Sequence, residues 1–227
     1  MKYELILFDA DETLFDFKKS ERYAFMESLS DFKINYDKEE CMKIYSEINT
    51  AIWKEFEKGT ITSDKLKVER FNRLFKRLSV DKDAEKFSKA YMNHLSEASF
   101  IYNEAFEILD YLKDKYRLAI ITNGLLDVQN KRIRESKIEH YFQEIIISDE
   151  IKIAKPMAKI FDYTLEKLNF KDKSKVLMIG DSLTSDIQGG INAEIDTCWF
   201  NVNNKEKPKD MDITYVINNI LELKNIL

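Results

Sequence analysis

The sequence predicts an α/β protein: a doubly wound, Rossmann-like parallel sheet with an all-helical cap domain inserted after its first strand. Three observations predict it. Apolar runs at 5–8, 118–122, 144–148 and 176–180 are continuous rather than alternating, the pattern of strands buried on both faces. Helical patterns lie between the later runs, and strand–helix alternation builds a parallel sheet. The stretch 17–99, in contrast, shows helices and no convincing strand.

Taken in order, the first strand at 5–8 leads straight into that helical stretch. Tyr45, Ile48, Ile52 and Phe56 follow helical spacing, Gly59 offers a helix stop and Ser63 a helix start. Phe71, Leu74, Phe75 and Leu78 repeat at i, i+3, i+4 and i+7, one apolar face of an amphipathic helix. A further helix covers 83–97. Beyond it, 103–115 places Phe106, Leu109 and Leu112 on one face, and weaker runs at 197–201 and 214–217 extend the sheet to six strands. The predicted organisation is a Rossmann-like core of 1–16 and 100–227 and a cap of 17–99. A chain of 227 residues is long enough for a core with a smaller inserted domain.

Composition narrows the function. Hydrophobic residues make up 44% and charged residues 34%, which is ordinary for a globular protein. The net charge is −5 with Lys and Arg scattered, so the footprint of a nucleic-acid polymer is missing while a single nucleotide remains a candidate ligand. Cys41 and Cys198 lack metal-ligand spacing and read as reduced packing residues. No apolar run reaches the ~20 residues that span a bilayer, and the N-terminus has no secretory layout. The expectation is a cytoplasmic protein with no membrane partner.

The chemistry concentrates where open α/β sheets bind ligands, at the carboxyl ends of strands. Strand one ends Asp9-Ala10-Asp11-Glu12-Thr13, strand two ends Thr122-Asn123-Gly124, and strand four ends Gly180-Asp181-Ser182-Leu183-Thr184-Ser185-Asp186. Ala154-Lys155-Pro156 lies between strands three and four. Carboxylates crowded at one sheet edge repel, and a hard cation with oxygen ligands offsets them. Thr122, the amides after it and the Lys155 ammonium suit a phosphate. A carboxylate beside a phosphoryl group attacks it directly, and Asp11, two residues on, is placed to act as general acid. Any one of these signals alone has a bland reading as a turn or helix cap. Four of them at strand ends, in order, do not.

Together, Asp9-x-Asp11-x-Thr13, Thr122-Asn123, Lys155-Pro156 and Gly180-Asp181 with Asp186 resemble the four motifs of the haloacid dehalogenase-like hydrolases, across the whole chain. The resemblance implies Asp9 as nucleophile, Asp11 as acid/base, and Thr122, Asn123 and Lys155 as phosphate-binding residues. It implies Mg²⁺ held by Asp9, by Asp11 through its main-chain carbonyl, and by Asp181, with Asp186 close by. Asp9-Ala10-Asp11-Glu12-Thr13-Leu14-Phe15-Asp16 is similar to the pyrimidine 5′-nucleotidase branch, which implies a small phosphorylated metabolite, a nucleoside monophosphate, as substrate. Glu12 departs from the Gly common at that position and reads as a solvated loop carboxylate.

Rival functions fit less well. A dehalogenase has no need of an acid such as Asp11, and receiver modules lack a helical insert over their aspartate. The runner-up is a phosphatase of another metabolite, such as a sugar or acylated sugar acid phosphate. His94 and His140 are isolated. Trp53 and the aromatic faces of the insert read first as cap core, and 205–210 as a solvated loop.

Overall fold

The computed structural model describes residues 2–227. The chain runs β1 (Leu5–Phe8), α1 (Phe17–Asp31), α2 (Lys38–Glu57), α3 (Ser63–Leu78), α4 (Ala84–Glu97), α5 (Asn103–Leu112) and β2 (Arg117–Thr122). It continues with α6 (Leu126–Arg132), β3 (Glu144–Ile147), α7 (Ser148–Ile151), α8 (Ala158–Lys167) and β4 (Val176–Gly180). It closes with α9 (Gln188–Asn192), β5 (Asp196–Phe200), β6 (Tyr215–Ile217) and α10 (Leu223–Ile226). The six strands form one sheet in the order β3-β2-β1-β4-β5-β6, and every pairing is parallel. All six predicted strands are present, with no end shifted by more than one residue. Ser148, expected to close β3, instead opens α7.

Alternation along β1 shows why the runs are continuously apolar. Leu5 and Leu7 pack beneath α8 with Ile160, Phe161 and Leu165, whereas Ile6 and Phe8 pack on the other face with Ile108, Leu109 and Leu112 of α5. Both faces are covered, so every strand position needs an apolar side chain.

Helices α1 to α4 build a separate aromatic core. Phe25 stacks on Tyr45 with centroids 4.5 Å apart, and Tyr45 lies parallel to Phe71 at 5.7 Å. Phe87 and Tyr91 close the cluster against Phe71. Local chemistry starts and stops these helices. Asp16, Asp37, Thr62 and Asp83 each accept a backbone N–H of the first turn. Gly59 follows the end of α2 at φ +70°, the left-handed stop that favours glycine. Helix α3 starts at the expected Ser63, capped by Thr62, and the Ser63 hydroxyl donates to Asp149 at 2.9 Å.

The two connections between cap and sheet run side by side. Phe15 and Ile101 form an antiparallel bridge, and the Asp16 N–H donates to the Phe100 carbonyl at 3.0 Å. The aromatic core also reaches across, because Leu125 and Val128 from the start of α6 pack into it. Truncating Phe71 to Ala removes a fully buried ring from the centre of this cluster. The expected cost is about 3–5 kcal/mol of unfolding free energy, read as a lowered urea midpoint.

Candidate active site

The sheet order reverses between β1 and β4: the chain proceeds from β1 to β2 on one side, while β4 lies on the other. Crevices at such switch points are where ligands of these sheets bind. Asp9 leaves β1 there with its N–H bound to the Ile179 carbonyl at 2.8 Å, Asp181 follows β4, and Thr122 ends β2. Carboxylate oxygens of Asp9, Asp181 and Asp186 all lie within 4.8 Å of one another.

Lys155 holds this acidic cluster together. Its ammonium, 1% exposed, donates to Asp9 Oδ1 at 2.6 Å, Asp186 Oδ1 at 2.7 Å and the Ile121 carbonyl at 2.7 Å. All three ammonium hydrogens are thereby spent, and its pKa is raised above the ordinary lysine value by Asp186 and Asp9 in spite of burial. Burial pushes the Asp9 carboxyl well above its usual range. Asp186, Asp181 and Asp11 push the same way, and only Lys155 opposes them. Burial, followed by the Asp186 charge, likewise raises Asp181 to about 7.

The loop after β4 is shaped to deliver Asp186. Gly180 has no room for a side chain, since a Cβ there would lie 2.3 Å from Asp186 Oδ2. Ser182 N donates to that same oxygen at 2.9 Å, and a π-helical turn, Leu183–Ile187, carries the residue. Such turns recur at functional sites. The Trp199 indole of β5 donates to the Asp181 carbonyl at 2.9 Å and fixes the loop from behind.

Of the expected phosphate ligands, Thr122 is buried with its hydroxyl accepting from Gln129 Nε2 at 3.3 Å. The Asn123 side chain is engaged elsewhere: it donates to the Lys155 carbonyl at 2.8 Å and accepts from the Lys155 N–H at 2.9 Å, so it anchors the lysine. The Asp11 carboxylate stands outside the acidic cluster. It accepts from Gln129 Nε2 at 2.9 Å and from Arg132, a fully buried guanidinium between the rings of Phe15 and Phe17. Glu12 sits at φ +61°, where glycine is at ease, and is pinned by the backbone and side chain of Lys18 rather than left solvated.

Sequence reasoning missed Gln129 and Arg132. Two polar residues three apart on a helix carry no signal of their own.

A cavity of about 870 Å³ runs from these strand ends up to the cap. Its upper wall includes Phe17, Glu21, Asn49, Trp53 and Arg70. The last polar members were also missed, since isolated charges inside amphipathic helices read as solvated faces. Glu21 is pushed up to about 7 by burial, against the pull of Arg70. His94 lies away from the cavity and pairs with Asp31 at 2.7 Å. Cys41 and Cys198 are free and buried. Among the described residues no helix is long and apolar enough to cross a membrane.

The model of the haloacid dehalogenase-like hydrolases matches residues 6–200. The chain belongs to that family. It is 36% identical to the pyrimidine 5′-nucleotidase YjjG of Escherichia coli, over 100% of this chain and 99% of that one. It is 34% identical to the pyrimidine 5′-nucleotidase PynA of Streptococcus pneumoniae, over 100% and 98%. The crystal structure of the HAD-hydrolase YfnB of Bacillus subtilis, bound to magnesium, superposes with a TM-score of 0.93 at 33% identity, covering 100% of this chain and 99% of that one.

In this haloacid dehalogenase-like hydrolase the donor set fits a hard divalent cation: three carboxylates converge, all donors are oxygen, and one lysine cannot neutralise them. Gly180→Ala tests the packing on which that convergence depends. The added methyl collides with an Asp186 side chain already held by Lys155 and Ser182. The expected loss is about 1–3 kcal/mol in urea unfolding, with weakened Mg²⁺ binding measured by calorimetry.

Proposed function

We propose that this hydrolase is a Mg²⁺-dependent phosphomonoesterase working through an aspartyl-phosphate on Asp9. We propose further that its substrates are nucleoside 5′-monophosphates, pyrimidine ones foremost. The observation that carries the reading is Asp9 itself: a buried carboxylate, fixed by Lys155 beside Asp181 and Asp186, at the floor of a cavity that continues into the cap. The full-length likeness to two proteins named pyrimidine 5′-nucleotidases supports the substrate class.

In this reading Asp9, Asp181 and Asp186, with the Asp11 main-chain carbonyl, would hold the cation. When bound it neutralises charge on the phosphoryl oxygens and screens them from the carboxylates. An Asp9 oxygen attacks phosphorus and the bond to the ester oxygen breaks. The departing oxygen takes a proton from Asp11. Asp11, now a carboxylate, then removes a proton from the water that attacks the phosphoryl group, and the bond from phosphorus to Asp9 breaks. Thr122 binds a phosphoryl oxygen through both steps, while Lys155 holds Asp9 and Asp186 in place. Arg132 and Gln129 orient the Asp11 side chain. The cap closes the cavity above and limits access of water to the intermediate.

Asp9→Asn keeps the shape and removes the nucleophile, so phosphate release should fall below a thousandth of the wild-type rate, as loss of a covalent nucleophile commonly does (by about 10³ or more). A tenth of the rate surviving would exclude Asp9. Asp11→Asn should cost about 10²–10⁴ in kcat on nucleoside monophosphates and much less on aryl phosphates, whose leaving groups need little protonation. Chelation should stop release and Mg²⁺ restore it. Across a panel of nucleoside monophosphates and sugar phosphates, UMP-, dUMP- or TMP-like compounds should have the highest kcat/KM. About tenfold better turnover of a sugar phosphate would overturn the nucleotidase reading and leave the Asp9 chemistry standing.

A further inference from the structure

Three polar side chains are buried in the cap where its aromatic core meets the cavity. Glu21 of α1 is 9% exposed, Asn49 of α2 is 8% and Arg70 of α3 is 2%, and all three line the cavity that has Asp9 at its floor. Buried polar groups destabilise a small aromatic core unless each is partnered. Here they largely partner one another, with Arg70 Nε alone of the three side chains' buried polar atoms left without a partner. Asn49 Nδ2 donates to Glu21 Oε1 at 2.7 Å, Arg70 Nη1 donates to Asn49 Oδ1 at 3.3 Å, and the Tyr45 hydroxyl adds a bond to Glu21 Oε1 at 3.4 Å.

The arrangement leaves a directed surplus. The bonds to Glu21 fall on Oε1, while Oε2 has no protein partner among the described residues and is not one of the buried unpartnered atoms, so it opens on the cavity. Arg70 fixes which way the Asn49 amide points: with Oδ1 taken by Arg70, Nδ2 must face Glu21, and its second hydrogen is unspent. The wall therefore presents an acceptor next to a donor. Phe17 and Trp53 give the same cavity apolar surfaces.

We propose that Glu21 and Asn49, oriented by Arg70, form a leaving-group subsite that binds the imide edge of a uracil- or thymine-type base. The proposal rests on the nucleotidase reading above. An imide edge pairs an N3–H donor with a neighbouring carbonyl acceptor, the complement of Glu21 Oε2 and Asn49 Nδ2. Cytosine presents a lone pair at N3, which a carboxylate repels. A leaving group bearing its own carboxylate is repelled for the same reason. A site built to bond an N–H rejects the analogue lacking it, because its buried groups are then left unpaired. Arg70 is a positioning residue, since its Nη donors are engaged by Asn49, Tyr45 and Met92.

The test compares kcat/KM for UMP, N3-methyl-UMP and CMP, with p-nitrophenyl phosphate alongside, in the wild-type enzyme and in Glu21→Gln. The wild type should prefer UMP over both N3-methyl-UMP and CMP by about tenfold or more. Glu21→Gln should lose about tenfold on UMP, chiefly through KM, and the UMP to N3-methyl-UMP ratio should collapse toward one. The loss on the aryl phosphate should be much smaller. Equal wild-type turnover of UMP and N3-methyl-UMP would overturn the subsite while leaving the nucleotidase reading intact, and needs no variant. A wild type that hydrolyses p-nitrophenyl phosphate but no nucleotide would overturn both.

Discussion

The Lys155 ammonium, buried between Asp9, Asp186 and the Ile121 carbonyl, is the interaction on which the rest of the site depends. Three carboxylates gathered within 4.8 Å repel strongly in a water-poor crevice. Two unit charges about 4 Å apart interact by about 4 kcal/mol at an effective dielectric near 20, against a total stability of about 5–15 kcal/mol. A site of this charge density is tolerable only with fixed compensation. Much of the surrounding geometry follows. Asn123 is bonded twice to the Lys155 backbone, Gly180 leaves room for Asp186, and Ser182 holds its second oxygen.

A second dependence links the cap to the chemistry through α6. That helix opens with Leu125 and Val128 packed into the aromatic core of the cap, and it closes with Gln129 and Arg132 bonded to Asp11. Arg132 is also sandwiched by Phe17, the first residue of α1, and its carbonyl accepts from Ser99 on the returning connection at 2.7 Å. Ion pairs from Lys67 to Asp127 and from Lys131 to Glu97 tie the cap to the same helix. A shift of the cap therefore acts on the helix that orients Asp11. In the proposed mechanism, closure over a substrate would therefore also bear on the position of Asp11.

Much of this was legible in the sequence, for identifiable reasons. The strands were readable because burial on both faces leaves no polar alternation, and Leu5 to Phe8 are all fully buried. Asp9, Lys155, Asp181 and Asp186 were readable because short motifs at strand ends keep their chain order. Arg70 and Arg132 were not, because a charge on a helix reads as surface until the packing of Tyr91 over one and Phe15 over the other is known. Glu21 and Asn49 were hidden likewise, since their bond joins residues 28 apart in the chain on two different helices. Asn123 carries a role its motif did not reveal: its side chain is bonded twice to the Lys155 backbone, which leaves its amide N–H as the group that could serve a phosphate.

The covalent role of Asp9 is the claim on which the account turns, and chemical trapping reads it directly. Acyl phosphates are reduced by borohydride, which converts the carrier aspartate to homoserine. The enzyme is mixed with excess substrate, quenched in acid within milliseconds, reduced, digested and sequenced by mass spectrometry. The account predicts homoserine at position 9, dependent on substrate and absent from Asp9→Asn. Phosphate retained on a histidine or serine, or no reduction at position 9 during rapid turnover, would contradict it.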